Sequence, residues 1–222
     1  MLLNETKLSY HHHIEFKDYI TIRQDRTTNY QGGGTAILLK ETFKHEHILN
    51  SKIQQFTGVE VTIVKITLQN NEKLYVIAIY CTSNKQILTP TKFEEEWNNL
   101  FKILNLNNTK NYYVNARHLN WGNDVNDRRG VKLNQWLSEN DIVYRAKLYK
   151  PSTPTIPRTG NYIDVAIVDN RLSVSTDNNG DITTLTYDSD HKAILVYILN
   201  NGHILNNTTE KQHTTYNFSN MH

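Results

Sequence analysis

The chain has 222 residues, with 24 basic and 22 acidic side chains and a formal net charge of +2, so no bulk charge draws it onto a polyanion and any nucleic-acid surface must be local. Its one cysteine, Cys81, excludes an internal disulfide and a cysteine-based zinc cluster. A mean hydropathy of −0.60, no apolar run near ~20 residues and no basic-then-apolar leader predict a soluble, intracellular protein without a membrane span or secretory signal.

A chain of this length can bury roughly 70% of its unfolded surface. No internal repeat is visible and the Asn/Thr-rich stretches are short, which predicts one domain. Apolar and β-branched runs bounded by polar turns predict strands at Tyr19–Arg23, Thr35–Lys40, Val59–Leu68 and Leu74–Tyr80. The last of these lacks polar alternation, as expected of a strand covered on both faces. A helix is predicted to open at Thr91-Lys92-Phe93-Glu94, with Thr91 as cap and Glu94 reaching back. Its stripe of Phe93, Trp97, Leu100, Phe101 and Leu104 lies on one face, so these aromatics are core.

Further along, Asn111–Asn115 is predicted as a strand, and a second helix starts after Asp127 with Leu133, Trp136 and Leu137 inward. Arg128 and Arg129 fall in its first turn, where cations are electrostatically disfavoured, which suggests another use for them. Lys150–Gly160, with three prolines, reads as a surface loop. The strands Tyr162–Val168 and Ala193–Leu199 complete the pattern.

Two segments carry chemistry. Asp164 is a carboxylate inside the otherwise apolar run Tyr162–Val168, and burying it ionised costs several kcal/mol unless it is paired. Ser189-Asp190-His191 stands just before the last strand, and His191 is the natural partner, since a carboxylate fixes an imidazole's tautomer and supports its cation. The residues alone fit equally a structural Asp–His pair. Two histidine features are set aside: His11-His12-His13 cannot all face one ion in regular structure, and His45-Glu46-His47 lacks the i, i+4 spacing of a zinc helix. Cys81 has no base nearby in sequence.

The order of motifs is more specific than any one of them. Asn115-Ala116-Arg117-His118 at a strand end, then Trp121-Gly122, then Arg128-Arg129-Gly130 before a helix, then Tyr162-Ile163-Asp164, then Ser189-Asp190-His191 resembles the endonuclease/exonuclease/phosphatase superfamily. Within it the chain is most similar to the apurinic-type endonuclease domain of non-LTR retrotransposons. Leu3-Asn4-Glu5-Thr6 looks like that family's acidic Glu-Thr motif, Arg23-Gln24-Asp25-Arg26 with Gly32-Gly33-Gly34 like its approach to a strand, and Tyr80 like its strand-end tyrosine. Thr215-Tyr216-Asn217-Phe218 looks like the start of a connector to a reverse transcriptase.

The resemblance implies an α/β four-layer sandwich, two packed mixed β-sheets flanked by helices, over residues 1–200, with 201–222 as connector. It implies hydrolysis of a DNA phosphodiester with Mg²⁺ or Mn²⁺ held by Glu5 and Asp190, a hard cation served by few carboxylates and several waters. By the same resemblance Asn115 positions phosphate or water, His191 contacts the scissile phosphate, Asp164 holds His191 and Tyr80 assists the transition state. Arg117, His118, Arg128 and Arg129 would bind the DNA around the cut. Action on genomic DNA implies nuclear localisation.

Two departures bear on activity. The family's Gly-Asp-Phe-Asn is replaced by Tyr112-Tyr113-Val114-Asn115, and a tyrosine, with a pKa of ~10, cannot serve as a carboxylate base at neutral pH. Losing a general base typically costs about 10²–10⁴-fold. The family's first strand also has no counterpart, Glu5 standing four residues from Met1. The expectation is an impaired or inactive nuclease; the alternatives are a DNA-binding module without catalysis and a phosphoesterase of another substrate.

Overall fold

In the computed structural model the described residues are 1–8, 11–26, 32–51, 53–68, 71–82, 84, 86–105, 110–186 and 191–199, with the side chains of 104–105, 110–113, 140–144 and 199 outside the description. The chain divides into two compact units, Met1–Asn115 and Ala116–His222. Asp190 and the whole segment 201–222 lie outside the described residues.

The first unit holds β1 (Leu2–Asn4), β2 (Tyr19–Gln24), β3 (Thr35–Lys40), β4 (Lys44–His47), β5 (Val59–Thr67), β6 (Lys73–Cys81), α1 (Pro90–Asn105) and β7 (Lys110–Asn115). β3 lies between β1 and β2, antiparallel to both. A second sheet runs β4, β5, β6, β7, antiparallel except for the parallel pair β6–β7, whose crossover contains α1. The α/β class with mixed sheets is therefore the one observed.

Strand β5 shows why these layers stack. Its side chains alternate, so Val64 and Ile66 meet Ile22, Ile37 and Leu39 of the smaller sheet, where Thr62 and Thr35 also join hydroxyls at 2.7 Å. Val59, Val61 and Ile63 occupy the other face, level with Cys81, Ile79 and Ile77 of β6, and are as deeply buried. Both faces of β5 and β6 are covered, which is why their runs read as continuously apolar. From α1, Phe93, Trp97, Leu100 and Ile103 are buried. Each such side chain removed from water contributes roughly 1.5–3 kcal/mol.

Helix α1 also supplies the buried Glu96. Its carboxylate accepts from the backbone amides of Thr57, Gly58 and Val59 and from the Thr57 hydroxyl, at 2.7 to 3.0 Å. The start of β5 is thus tied to the middle of α1. The helix cap differs from expectation: Thr89, not Thr91, bonds the Lys92 amide, because the helix begins one residue earlier with Pro90 in its first turn.

The second unit holds α2 (Arg128–Tyr144), β8 (Ala146–Tyr149), β9 (Asp164–Asp169), β10 (Ser173–Val174), β11 (Thr183–Leu185), β12 (Ala193–Leu195) and β13 (Ile198–Leu199). β8 and β9 are antiparallel neighbours. The single strand expected over Ala193–Leu199 is two, β12 pairing with β11 and β13 with β10. Tyr149, Ala166, Val168 and Ile182 form the core there, with Leu172, Val174, Ile194 and Val196 packed on it. Lys150–Gly160 is not merely a surface loop: Pro151 bridges to Ile182, Ile156 to Asn161, and Thr155 is fully buried. No described helix is long and apolar enough to cross a membrane.

Candidate active site

In the second unit the predicted pair is formed. Asp164 opens β9 with its side chain 3% exposed, and its Oδ2 lies 3.0 Å from Nδ1 of His191, which is 30% exposed. The carboxylate therefore sits behind the ring, against its Nδ1, and the ring itself is partly open to solvent. The geometry is that of an imidazole held in one tautomer by an acid that need not itself exchange protons.

The surrounding backbone is fixed by side chains that sequence reasoning passed over. The Thr155 hydroxyl accepts from the amides of Ile163 and Asp164 at 3.1 and 3.3 Å, while its own carbonyl accepts from the amide of Lys192 at 2.7 Å. Asn123 pairs with both sides of the Tyr162 peptide, Nδ2 donating to its carbonyl at 2.8 Å and Oδ1 accepting from its amide at 3.0 Å. Ala116 adds an amide bond to the Ile163 carbonyl at 2.7 Å. The segment carrying Arg117 and His118 is thereby joined to the approach of the strand that carries Asp164.

His118 caps the 3₁₀ turn Leu119–Trp121, its Nδ1 accepting from the Asn120 amide at 3.1 Å, with its ring 4.9 Å from that of Trp121. Burial holds its pKa below the usual 6.5, with Asp127 opposing, so the neutral ring that the cap requires is favoured. Trp121 is buried and donates its indole N–H to the Ala116 carbonyl. Asp127 caps α2 through the Gly130 amide at 2.7 Å and also holds Arg129 at 2.5 Å. The cap carboxylate neutralises Arg129, which is why a cation is tolerated in the first turn of this helix. Arg117 is half-buried, and its Nε lacks a hydrogen-bond partner.

In the first unit Glu5 is exposed just beyond β1, in a left-handed backbone conformation with φ of 56°. Its neighbours Thr6 and Lys7 donate backbone bonds to Gly34 and Gly33. Those glycines cannot be replaced freely: a Cβ on Gly33 would meet the Arg26 guanidinium at 2.3 Å, and one on Gly34 the Thr6 hydroxyl at 2.4 Å. Arg26 in turn forms a buried ion pair with Glu60 at 2.5 Å and lies 5.8 Å from the Tyr80 ring centre, while Glu60 also accepts from the Gly34 amide at 2.6 Å. Burial pushes the Glu60 carboxyl up, against the pull of Arg26 and Gly34 and with a small push from Glu5. The signal for this pair was available: Glu60, like Asp164, is a lone carboxylate in an apolar strand.

Asn115, at the end of β7, is buried, and its Oδ1 accepts from the Cys81 amide at 3.2 Å, just past Tyr80. Asn4 donates Nδ2 to the Ile79 carbonyl at 3.0 Å, and its Oδ1 is buried without a partner. The Asn4 carbonyl oxygen and the Glu5 carboxylate, adjacent in sequence, are both oxygen donors of the hard kind that Mg²⁺ or Mn²⁺ takes. Among the described residues no three His, Cys, Asp or Glu side chains form a metal cluster. The residues present fit a cation held by few protein ligands and several waters.

A family model described as endonuclease-reverse transcriptase matches residues 74–195. Among solved structures the chain is similar to the endonuclease domain of TRAS1, a telomere-specific non-LTR retrotransposon, at 14% identity and a TM-score of 0.54, with 81% of this chain and 77% of that one covered. It also matches an endonuclease/exonuclease/phosphatase protein of Beutenbergia cavernae at 12% identity and a TM-score of 0.46, covering 75% and 47%. A D. rerio TDP2 complexed with single-strand DNA product matches at 12% identity and 0.40, covering 81% and 76%. No curated protein sequence matches the chain.

Proposed function

Because the chain belongs to the endonuclease-reverse transcriptase family of the endonuclease/exonuclease/phosphatase superfamily, we propose that it is a metal-dependent DNA-nicking domain of retrotransposon descent, slowed by the tyrosine at 113. The observation that carries this reading is the 3.0 Å contact between the buried carboxylate of Asp164 and the imidazole of His191.

Phosphodiester hydrolysis adds negative charge to a phosphate that already repels the incoming oxygen. A Mg²⁺ or Mn²⁺ would neutralise that charge when bound, and Glu5 and, by the resemblance, Asp190 are the carboxylates proposed to serve it. The chain's own residues do the rest. His191, protonated and steadied by Asp164, donates a hydrogen bond to a non-bridging phosphate oxygen. Asn115 has its oxygen committed to Cys81, so its amide nitrogen is the atom that orients phosphate or water. Tyr80 supplies a phenol at the end of β6. Arg117, His118 and Arg128 contact flanking phosphates, which sets register on the duplex without reading sequence. Acting on genomic DNA, the domain works in the nucleus, beside the reverse transcriptase of its parent element.

Tyr113 favours a second reading, a module that grips DNA without cutting it. Supercoiled-plasmid nicking with and without Mg²⁺, run beside duplex binding at several salt concentrations, separates the two. Slow nicking that requires Mg²⁺ and disappears in His191→Ala is the expected result. Salt-sensitive binding with no cut in either protein selects the binding module, and rapid turnover by the unaltered chain contradicts the role given to Tyr113. Displacement of DNA by a phosphoinositide would point to another phosphoester.

A further inference from the structure

The geometry points to Thr155 as the positioning residue of the Asp164–His191 pair, an inference that rests on the reading of that pair as the phosphate-facing one. Asp164 and His191 are 27 positions apart and come from separate segments, so something must fix one segment against the other. Thr155 touches both. Its hydroxyl takes the amides of Ile163 and Asp164, which sets the backbone from which the carboxylate projects. Its carbonyl takes the amide of Lys192, the residue after the imidazole.

The contact to Lys192 is doubled two residues earlier: the Lys192 ammonium donates to the Thr153 hydroxyl at 3.0 Å, and that hydroxyl is joined to Thr184 at 2.7 Å. One short strap, 153–155, therefore holds the backbone on both sides of the pair. Thr155 is fully buried, so water does not replace its hydroxyl if it is removed. The hydroxyl spends its acceptor capacity on two peptide N–H groups, and valine, of the same shape, would leave both without a partner. A methyl in that place lets Asp164 drift from the ring, and displacements of about 1 Å at such a pair can cost about 10²-fold in rate.

The test reads the imidazole directly, in the full chain carrying isotope-labelled histidine. Nitrogen NMR of His191 reports which ring nitrogen bears the proton and how it titrates. Thr155→Val is expected to shift the His191 signals toward those of Asp164→Asn, with unchanged circular dichroism, whereas Thr155→Ser, which keeps the oxygen, is expected to match the parent. A folded Thr155→Val with parental His191 signals overturns the inference. Should Thr155→Val fail to fold, Thr155→Ser decides: parental signals support it and displaced signals in a folded protein overturn it. In a Tyr113→Asp background, Thr155→Val is expected to lower kcat about 10²-fold with little change in KM. Absence of nicking in every variant would count against the proposed function and leave the NMR result standing on its own.

Discussion

Single residues in unusual company told most about this chain. Asp164 in an apolar strand demanded a partner, and the partner is His191; Glu60 made the same demand and is met by Arg26. Both follow from the cost of an unpaired buried charge, which can be read from sequence. The ties made by Asn123 and Thr155 are backbone ties, and nothing in their local sequence distinguishes them from ordinary loop residues. Gly130 is of this hidden kind too. It lies in the first turn of α2 against the strand-end segment, and a Cβ there would fall 1.8 Å from the Arg117 carbonyl oxygen, a backbone atom. Gly130→Ala should therefore cost about 2 kcal/mol or more, at the upper part of the overpacking range, and lower the midpoint of urea unfolding; a variant as stable as the parent would show that this approach is looser than the geometry states.

At the scale of elements, strands with long apolar runs were legible to within a residue or two, and those without were not. Lys44–His47 forms β4 from four polar residues at a sheet margin, and β8 begins two residues after α2 ends, with no punctuation between them that pattern could catch. The split of 193–199 into β12 and β13 is likewise a matter of partners, since each half pairs with a different strand. Element junctions depend on few groups, and Glu96 is the clearest: one buried carboxylate satisfies three successive backbone amides at the start of β5. Glu96→Ala leaves Gly58 and Val59 amides buried and unpaired, at about 1–3 kcal/mol each. Global unfolding should show a loss of about 2–6 kcal/mol by that sum, and hydrogen exchange at residues 58 and 59 should rise sharply. Unchanged protection at those amides would assign the anchoring to something else.

For the molecule as a whole, the order of motifs along the chain identified the family, which the family model over residues 74–195 and the shared fold with a retrotransposon endonuclease domain bear out. Composition and charge could not have done so, since a net +2 chain with one cysteine fits many functions. Position 113 holds a tyrosine where the resemblance places a carboxylate, and the proposed slowing of the reaction rests on that position. The most direct measurement is therefore Mg²⁺-dependent nicking of supercoiled plasmid by Tyr113→Asp, alone and combined with His191→Ala, against the parent chain. Nicking at least about tenfold faster in Tyr113→Asp, abolished by the added His191→Ala, is the expected result, in line with what a general base contributes. A folded Tyr113→Asp that nicks no faster than the parent, or a gain that survives loss of the imidazole, would contradict it.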